Sequence, residues 1–128
     1  MEGITAARFG IILKTERFAA CTEFYRDVLS LNLWYQKPHL LCFHFGVDSY
    51  LMVERGGVSA DLRKGAEINP VVLRFDVPDI DRAANRIAEL GIAVEVLRLE
   101  WGTIAIFSDP DGNPCEFKNA DNPYFDLP

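Results

Sequence analysis

A pattern stated twice, sixty residues apart, limits what this chain can fold into. Ile12-Leu13-Lys14 and the amphipathic run after it are matched by Val72-Leu73-Arg74 and a second amphipathic run. In the first run Phe18, Cys21, Phe24, Tyr25, Val28 and Leu29 recur at helical spacing, which predicts a helix over residues 16–29 with Thr15 as its N-cap. In the second, Ile80, Ala83, Ala84, Ile87 and Leu90 share a face, which predicts a helix over residues 80–90. Asp79 stands at its N-cap and Gly91 at the left-handed position beyond its end. Ser30 occupies that position in the first copy, where it fits less well.

Each helix lies between one strand and three more. Alternating apolar runs place strands near residues 8–14, 31–36, 40–46 and 49–54, then near 70–76, 92–99, 103–107 and 113–118. The result is βαβββ twice, an α+β fold of curled mixed sheets with a concave face, not a wound parallel sheet. Module one covers about residues 8–54, a linker 55–69, module two about 70–119, and a tail 120–128. A chain of 128 residues is one domain's worth. In the tail, Tyr124, Phe125 and Leu127 are apolar enough to dock onto a partner, although a terminal coil is the plainer expectation. Exposed sheet edges and an apolar concave face call for a homodimer.

The last hairpin carries the most specific string, Phe107-Ser108-Asp109-Pro110-Asp111-Gly112-Asn113-Pro114-Cys115-Glu116-Phe117. Pro110 sets a turn corner, Gly112 and Asn113 tolerate positive φ, and Glu116 sits on the returning strand. With Phe24-Tyr25-Arg26-Asp27-Val28-Leu29 upstream, this string resembles the vicinal oxygen chelate superfamily of glyoxalase I, bleomycin-resistance proteins and ring-cleaving dioxygenases. The resemblance covers about residues 8–119 and implies an open barrel of two such sheets, often drawn from two subunits. It implies little about chemistry, because one fold hosts many reactions.

Metal enzymes of that superfamily carry ligands at four corners, the first and last strand of each copy. Counted from the motifs, these fall at Gly10, Leu51 (Met52 after a one-residue slip), Pro70 and Glu116. Only Glu116 offers a donor suited to a divalent ion, and a stable site needs three or more. The expectation is therefore no metal and no other cofactor. Glu116 is equally suited to an ion pair with Arg74 or Lys14.

Counting by twos along the strands turns Ile12, Lys14, Val72, Arg74, Ser49, Leu51, Val53 and Glu116 inward, and packs Leu13, Leu73 and Phe75 under the helices. His44 alternates with Phe43 and Phe45 and also reaches the cavity; His39 lies in a turn. Trp34, Tyr35 and Trp101 stand on or beside the outer strands, where flat groups stack on a ligand or pack as core. The expected ligand-binding set is Lys14, Trp34, His44, Leu51, Arg74, Trp101 and Glu116.

A net charge of −6, with a pI near 4.8, gives nucleic acid no basic stripe to bind. No segment has the length of a membrane span, and the first residues do not read as a signal peptide. Three scattered cysteines, Cys21, Cys42 and Cys115, suggest reduced thiols and a cytoplasmic location. There is no Ser/His/Asp arrangement, and Gly56-Gly57 leads into no helix that would cradle phosphate. These features favour a non-catalytic protein of the bleomycin-resistance kind that sequesters a drug or metabolite. Catalysis stays open: a metal-dependent lyase, isomerase or dioxygenase, or a metal-free enzyme with Glu116 or His44 as its base. A regulatory module without a small ligand is the remaining alternative.

Overall fold

The computed structural model describes residues 3–120; the apolar tail residues Tyr124, Phe125 and Leu127 lie outside them. The chain divides into two compact units, Met1–Ser59 and Ala60–Pro128. Each is a βαβββ module.

In the first unit, β1 (Phe9–Thr15) is followed by α1 (Phe18–Glu23), then β2 (Asn32–Lys37), β3 (Leu40–Phe45) and β4 (Ser49–Arg55). The sheet order is β1-β4-β3-β2, with β1 parallel to β4 and the other pairs antiparallel. The helix is shorter than its periodicity predicts. Residues Phe24–Val28 form a wider turn instead, in which the Leu29 amide donates to the Phe24 carbonyl at 2.9 Å. That turn keeps consecutive Phe24 and Tyr25 buried, their rings edge to face at 5.1 Å. Thr15 does not cap the helix. Its hydroxyl accepts from the Arg17 amide at 2.9 Å, a local turn, and the cap position passes to Arg17.

Ser30 has φ +55°, in the left-handed region. A side chain there opposes the backbone by about 1–2 kcal/mol. Ser30→Gly is therefore expected to raise stability by about 0.5–1 kcal/mol, seen as a higher urea midpoint with an unchanged slope. A lower midpoint would show that the serine hydroxyl, 3.4 Å from the Asp27 carbonyl, contributes more than the strain removes.

In the second unit, β5 (Leu73–Val77), α2 (Ile80–Glu89), β6 (Glu95–Leu99), β7 (Gly102–Ser108) and β8 (Pro114–Asn119) repeat the order, in a sheet β5-β8-β7-β6. Asp79 caps α2, its carboxylate accepting from the Arg82 amide at 3.0 Å, and Gly91 adopts φ +83°. Leu90 ends up exposed, because the helix stops before it and its side chain leaves the buried stripe.

β5 and β6 both start three residues later than the apolar runs suggest. Pairing of β5 begins where Leu73 meets Cys115, since Pro114 has no amide to donate and Asn113 is committed elsewhere. Before β6, the partner carbonyl of Phe107 is taken by the Arg63 guanidinium.

The Asp109–Asn113 turn is a buried polar knot. Asp109 accepts from the Asp111 and Asn113 amides and from the Asn113 side chain, each at 2.9 Å. The segment after Ser59 is tied onto it: Ala60 donates its amide to Asp111 at 3.1 Å, and Lys64 donates to Asn113 at 3.0 Å. The Lys64 ammonium also lies 3.6 Å from the Asp111 carboxylate, with both side chains buried. Gly112 has the positive φ expected of it, but Asn113 does not: Ser30 is the one non-glycine with positive φ among the described residues. Asn113 serves the knot through its side chain.

Candidate functional site

The registers decide which side chains share a face. In the first unit β1 and β4 pair Ile11 with Leu51 and Leu13 with Val53. Neighbours in register point to the same side, so Leu51 and Val53 join Leu41 and Phe43 in the core beneath α1. This corrects the placement of Leu51 and Val53 in a cavity. A one-residue slip in a period-two element moves every side chain to the opposite face.

The side facing away from α1 carries Gly10, Ile12 and Lys14 of β1 beside Tyr50, Met52 and Glu54 of β4. Cys42 and His44 lie on that same side of β3. The β2–β3 register shifts between Leu33 and Tyr35, leaving Trp34 as an extra residue in the strand. The bulge turns two consecutive aromatic side chains toward one face. Trp34 stacks on His44 with ring centroids 4.8 Å apart and planes 25° apart, while Tyr35 stands opposite Cys42. Tyr50 approaches Trp34 edge-on at 6.1 Å, and the Arg8 guanidinium lies 5.0 Å from the Trp34 ring centre.

Gly10 makes room for this group. A Cβ there would fall 2.0 Å from the Tyr50 ring, so Gly10 serves as the seat of an aromatic ring. Ile12 and Met52 form an apolar floor, and the Lys14–Glu54 ion pair, 3.3 Å, closes the far end. Trp34 is 38 % exposed and Ile12 54 %, so the face is open to a ligand. Burial pushes the Cys42 thiol up, with the Tyr35 hydrogen bond acting against it; partial burial, then Cys42, pushes the Tyr35 phenol up. Both shifts favour the neutral thiol and phenol.

In the second unit Arg74 and Glu116 are register partners, and Arg74 Nε donates to Glu116 Oε1 at 2.6 Å. The Arg74 guanidinium also lies over the Trp101 ring, 5.4 Å from its centre. Lys14–Glu54 lies one pair before the end of the β1–β4 ladder, and the pair in that place in the second unit is Asp76–Lys118, 3.9 Å apart with the charges exchanged between the strands. Of the residues expected to line a site, Trp34, His44 and Lys14 share one face of the first unit, while Arg74, Trp101 and Glu116 meet in the second.

A divalent ion is poorly served by these residues. Glu116 is engaged by arginine, Gly10 lies under Tyr50, and Pro70 precedes β5. Among the described residues no three of His, Cys, Asp and Glu converge. Sequence reasoning also missed a cleft of about 470 Å³ in the second unit, walled by Leu62, Arg63, Ile92, Val94, Ile106 and Phe107. Nothing in a period-two pattern signals it, because it opens where the β6–β7 ladder stops short.

Two four-stranded βαβββ sheets with these registers define a glyoxalase-type fold. The Glyoxalase/Bleomycin resistance protein/Dioxygenase superfamily profile matches residues 10–117, and the chain belongs to that superfamily. No functionally curated protein matches it. Among solved structures it is similar to a lactoylglutathione lyase from Agrobacterium tumefaciens, with 24 % identity, 91 % of this chain and 95 % of that one covered, and a TM-score of 0.69. It is similar to TnmS3, an antibiotic binding protein from Streptomyces sp. CB03234, at 24 % identity over 93 % and 98 % of the chains, TM-score 0.66. A glyoxalase/dioxygenase from Nostoc punctiforme matches at 21 % identity over 93 % and 97 %, TM-score 0.73. At these identities the likeness speaks for the fold.

Proposed function

We propose that this protein binds a flat aromatic small molecule without transforming it, sequestering a drug or metabolite against the aromatic face of its first unit. The observation that carries this reading is the Trp34–His44–Tyr50 group, with Trp34 exposed and His44 and Tyr50 half-buried, opened by the β2 bulge and seated on Gly10. Flat apolar rings with polar edges are what a planar ligand stacks on. The fold hosts a lyase, a dioxygenase and an antibiotic binder alike, so it does not select among them. Glu116 is held by Arg74, which leaves it poorly placed to take a substrate proton.

In this reading the protein needs no metal or other cofactor and has no nucleic-acid or membrane partner. It works as a homodimer in the cytoplasm. Edge strands in both sheets support self-association, and three buried free cysteines suit a reducing compartment. Among the described residues no helix is long and apolar enough to cross a membrane.

The test uses acridine, a neutral tricycle at pH 7.5, in calorimetric titrations with and without chelator. Saturable binding unaffected by chelator is expected. Trp34→Ala and Tyr50→Ala should each weaken it about tenfold, the equivalent of about 1–1.5 kcal/mol of ring contact. No saturable binding, or affinity indifferent to both substitutions, would sink the proposal.

A further inference from the structure

The second unit carries a separate recognition element that the aromatic face of the first does not use. Arg74 is held at one corner only: its Nε donates to Glu116 Oε1 at 2.6 Å. Among the described residues, its two terminal nitrogens have no hydrogen-bond partner. The Arg74 side chain is 37 % exposed, whereas that of Glu116 is 11 % exposed. The carboxylate is therefore an internal brace and the outer edge of the guanidinium is the part that meets solvent.

An arginine braced this way has lost much of its rotamer freedom before any ligand arrives, and it presents two parallel donors matched to an oxyanion. Trp101 places a flat apolar surface against the same guanidinium, 5.4 Å from ring centre to Cζ, and is itself 36 % exposed. Ile104 and Ile106 of β7 lie on the Glu116 side of the sheet and extend the apolar floor. The other charges on that side are Lys118, which donates to the Asn119 carbonyl at 2.7 Å, Asp76, 3.9 Å from the Lys118 ammonium, and the exposed Glu95 on the edge strand β6. Beside Arg74 the carboxylates are compensated, Glu116 by Arg74 itself and Asp76 by Lys118, while Glu95 stands at the opposite edge of the sheet with β8 and β7 between.

We infer that Arg74, braced by Glu116 and flanked by Trp101, forms a subsite for a planar conjugated carboxylic acid. The carboxylate meets the terminal nitrogens of Arg74 and the ring lies along Trp101. The subsite does not depend on the first-unit face binding anything. Its selectivity opposes the net charge of −6, which on its own would favour cations.

Three probes of similar shape separate the possibilities: 2-naphthoate, 2-naphthalenemethanol and naphthalen-2-ylmethylamine. Each is titrated calorimetrically into the full chain, and the two indole N–H signals, assigned with Trp34→Phe and Trp101→Phe, report where it sits. The acid is expected to bind at least tenfold more tightly than the alcohol or the amine and to shift the Trp101 signal. Arg74→Lys keeps a charge for Glu116 but removes the planar fork, so it should bring the acid to within about threefold of the alcohol. Unchanged thermal unfolding would show that this loss is not a loss of fold. Equal affinity for acid and alcohol overturns the inference, as does tighter binding of the amine. An Arg74→Lys variant that binds the acid undiminished overturns it too. Shifts confined to Trp34 also overturn it, while leaving the first-unit face as a binding site.

Discussion

Asp111→Ala is expected to lower unfolding stability by about 3–5 kcal/mol, the loss typical when one partner of a buried ion pair is removed. The Asp111 side chain has no exposure, and the Lys64 ammonium 3.6 Å away would keep only its bond to Asn113. The Ala60 amide would lose its acceptor as well. Urea unfolding of the variant measures the loss. The double substitution Lys64→Met with Asp111→Leu should recover much of it, because replacing both charges by apolar groups removes the stranded ammonium. A loss below about 1 kcal/mol for Asp111→Ala would place the pair in water and leave residues 60–64 without their anchor.

Gly112→Ala should also destabilise heavily, through two effects that a control separates. Its φ of +77° opposes any side chain by about 1–2 kcal/mol. Its Cβ would fall 2.2 Å from the Leu62 carbonyl oxygen, and backbone must move to admit it. Such overpacking adds about 1–3 kcal/mol. Gly91 has a similar φ of +83°, and a methyl group added there would meet nothing within 4 Å, so Gly91→Ala should show the conformational share alone. If the two variants lose the same stability, the segment carrying Leu62 yields freely and the knot is not rigid.

Both expectations give the Asp-Pro-Asp-Gly-Asn string a role that turn chemistry alone does not. Pro110 and Gly112 make the corner, but Asp109, Asp111 and Asn113 are spent on one another and on residues 60–69. The string that most plainly marks the superfamily is, in this chain, a structural device. The candidate recognition residues lie on the faces of the two sheets, a ring over glycine in one and an arginine over a carboxylate in the other.

The order of elements is legible in the sequence alone. The repeat of Ile12-Leu13-Lys14 in Val72-Leu73-Arg74, the helical spacing from Ile80 to Ile87, the Asp79 cap and the glycine at 91 are local signals, each read within a few residues. Glu116 is visible there as a strand carboxylate, and Arg74 as one of its two candidate partners.

What tertiary structure alone decided is the side of the sheet on which each residue stands and what it meets there. Alternation along β4 puts Leu51 in a cavity, yet it belongs to the core, because the parallel β1–β4 register, not the β4 sequence, sets the phase. The bulge at Trp34 follows from an unequal count between β2 and β3, which neither strand shows by itself. Arg63 at the Phe107 carbonyl and Lys64 at Asp111 join residues more than forty positions apart. Periodicity records which residues share a face within one strand; register between strands, an interaction of distant backbone, determines which face that is.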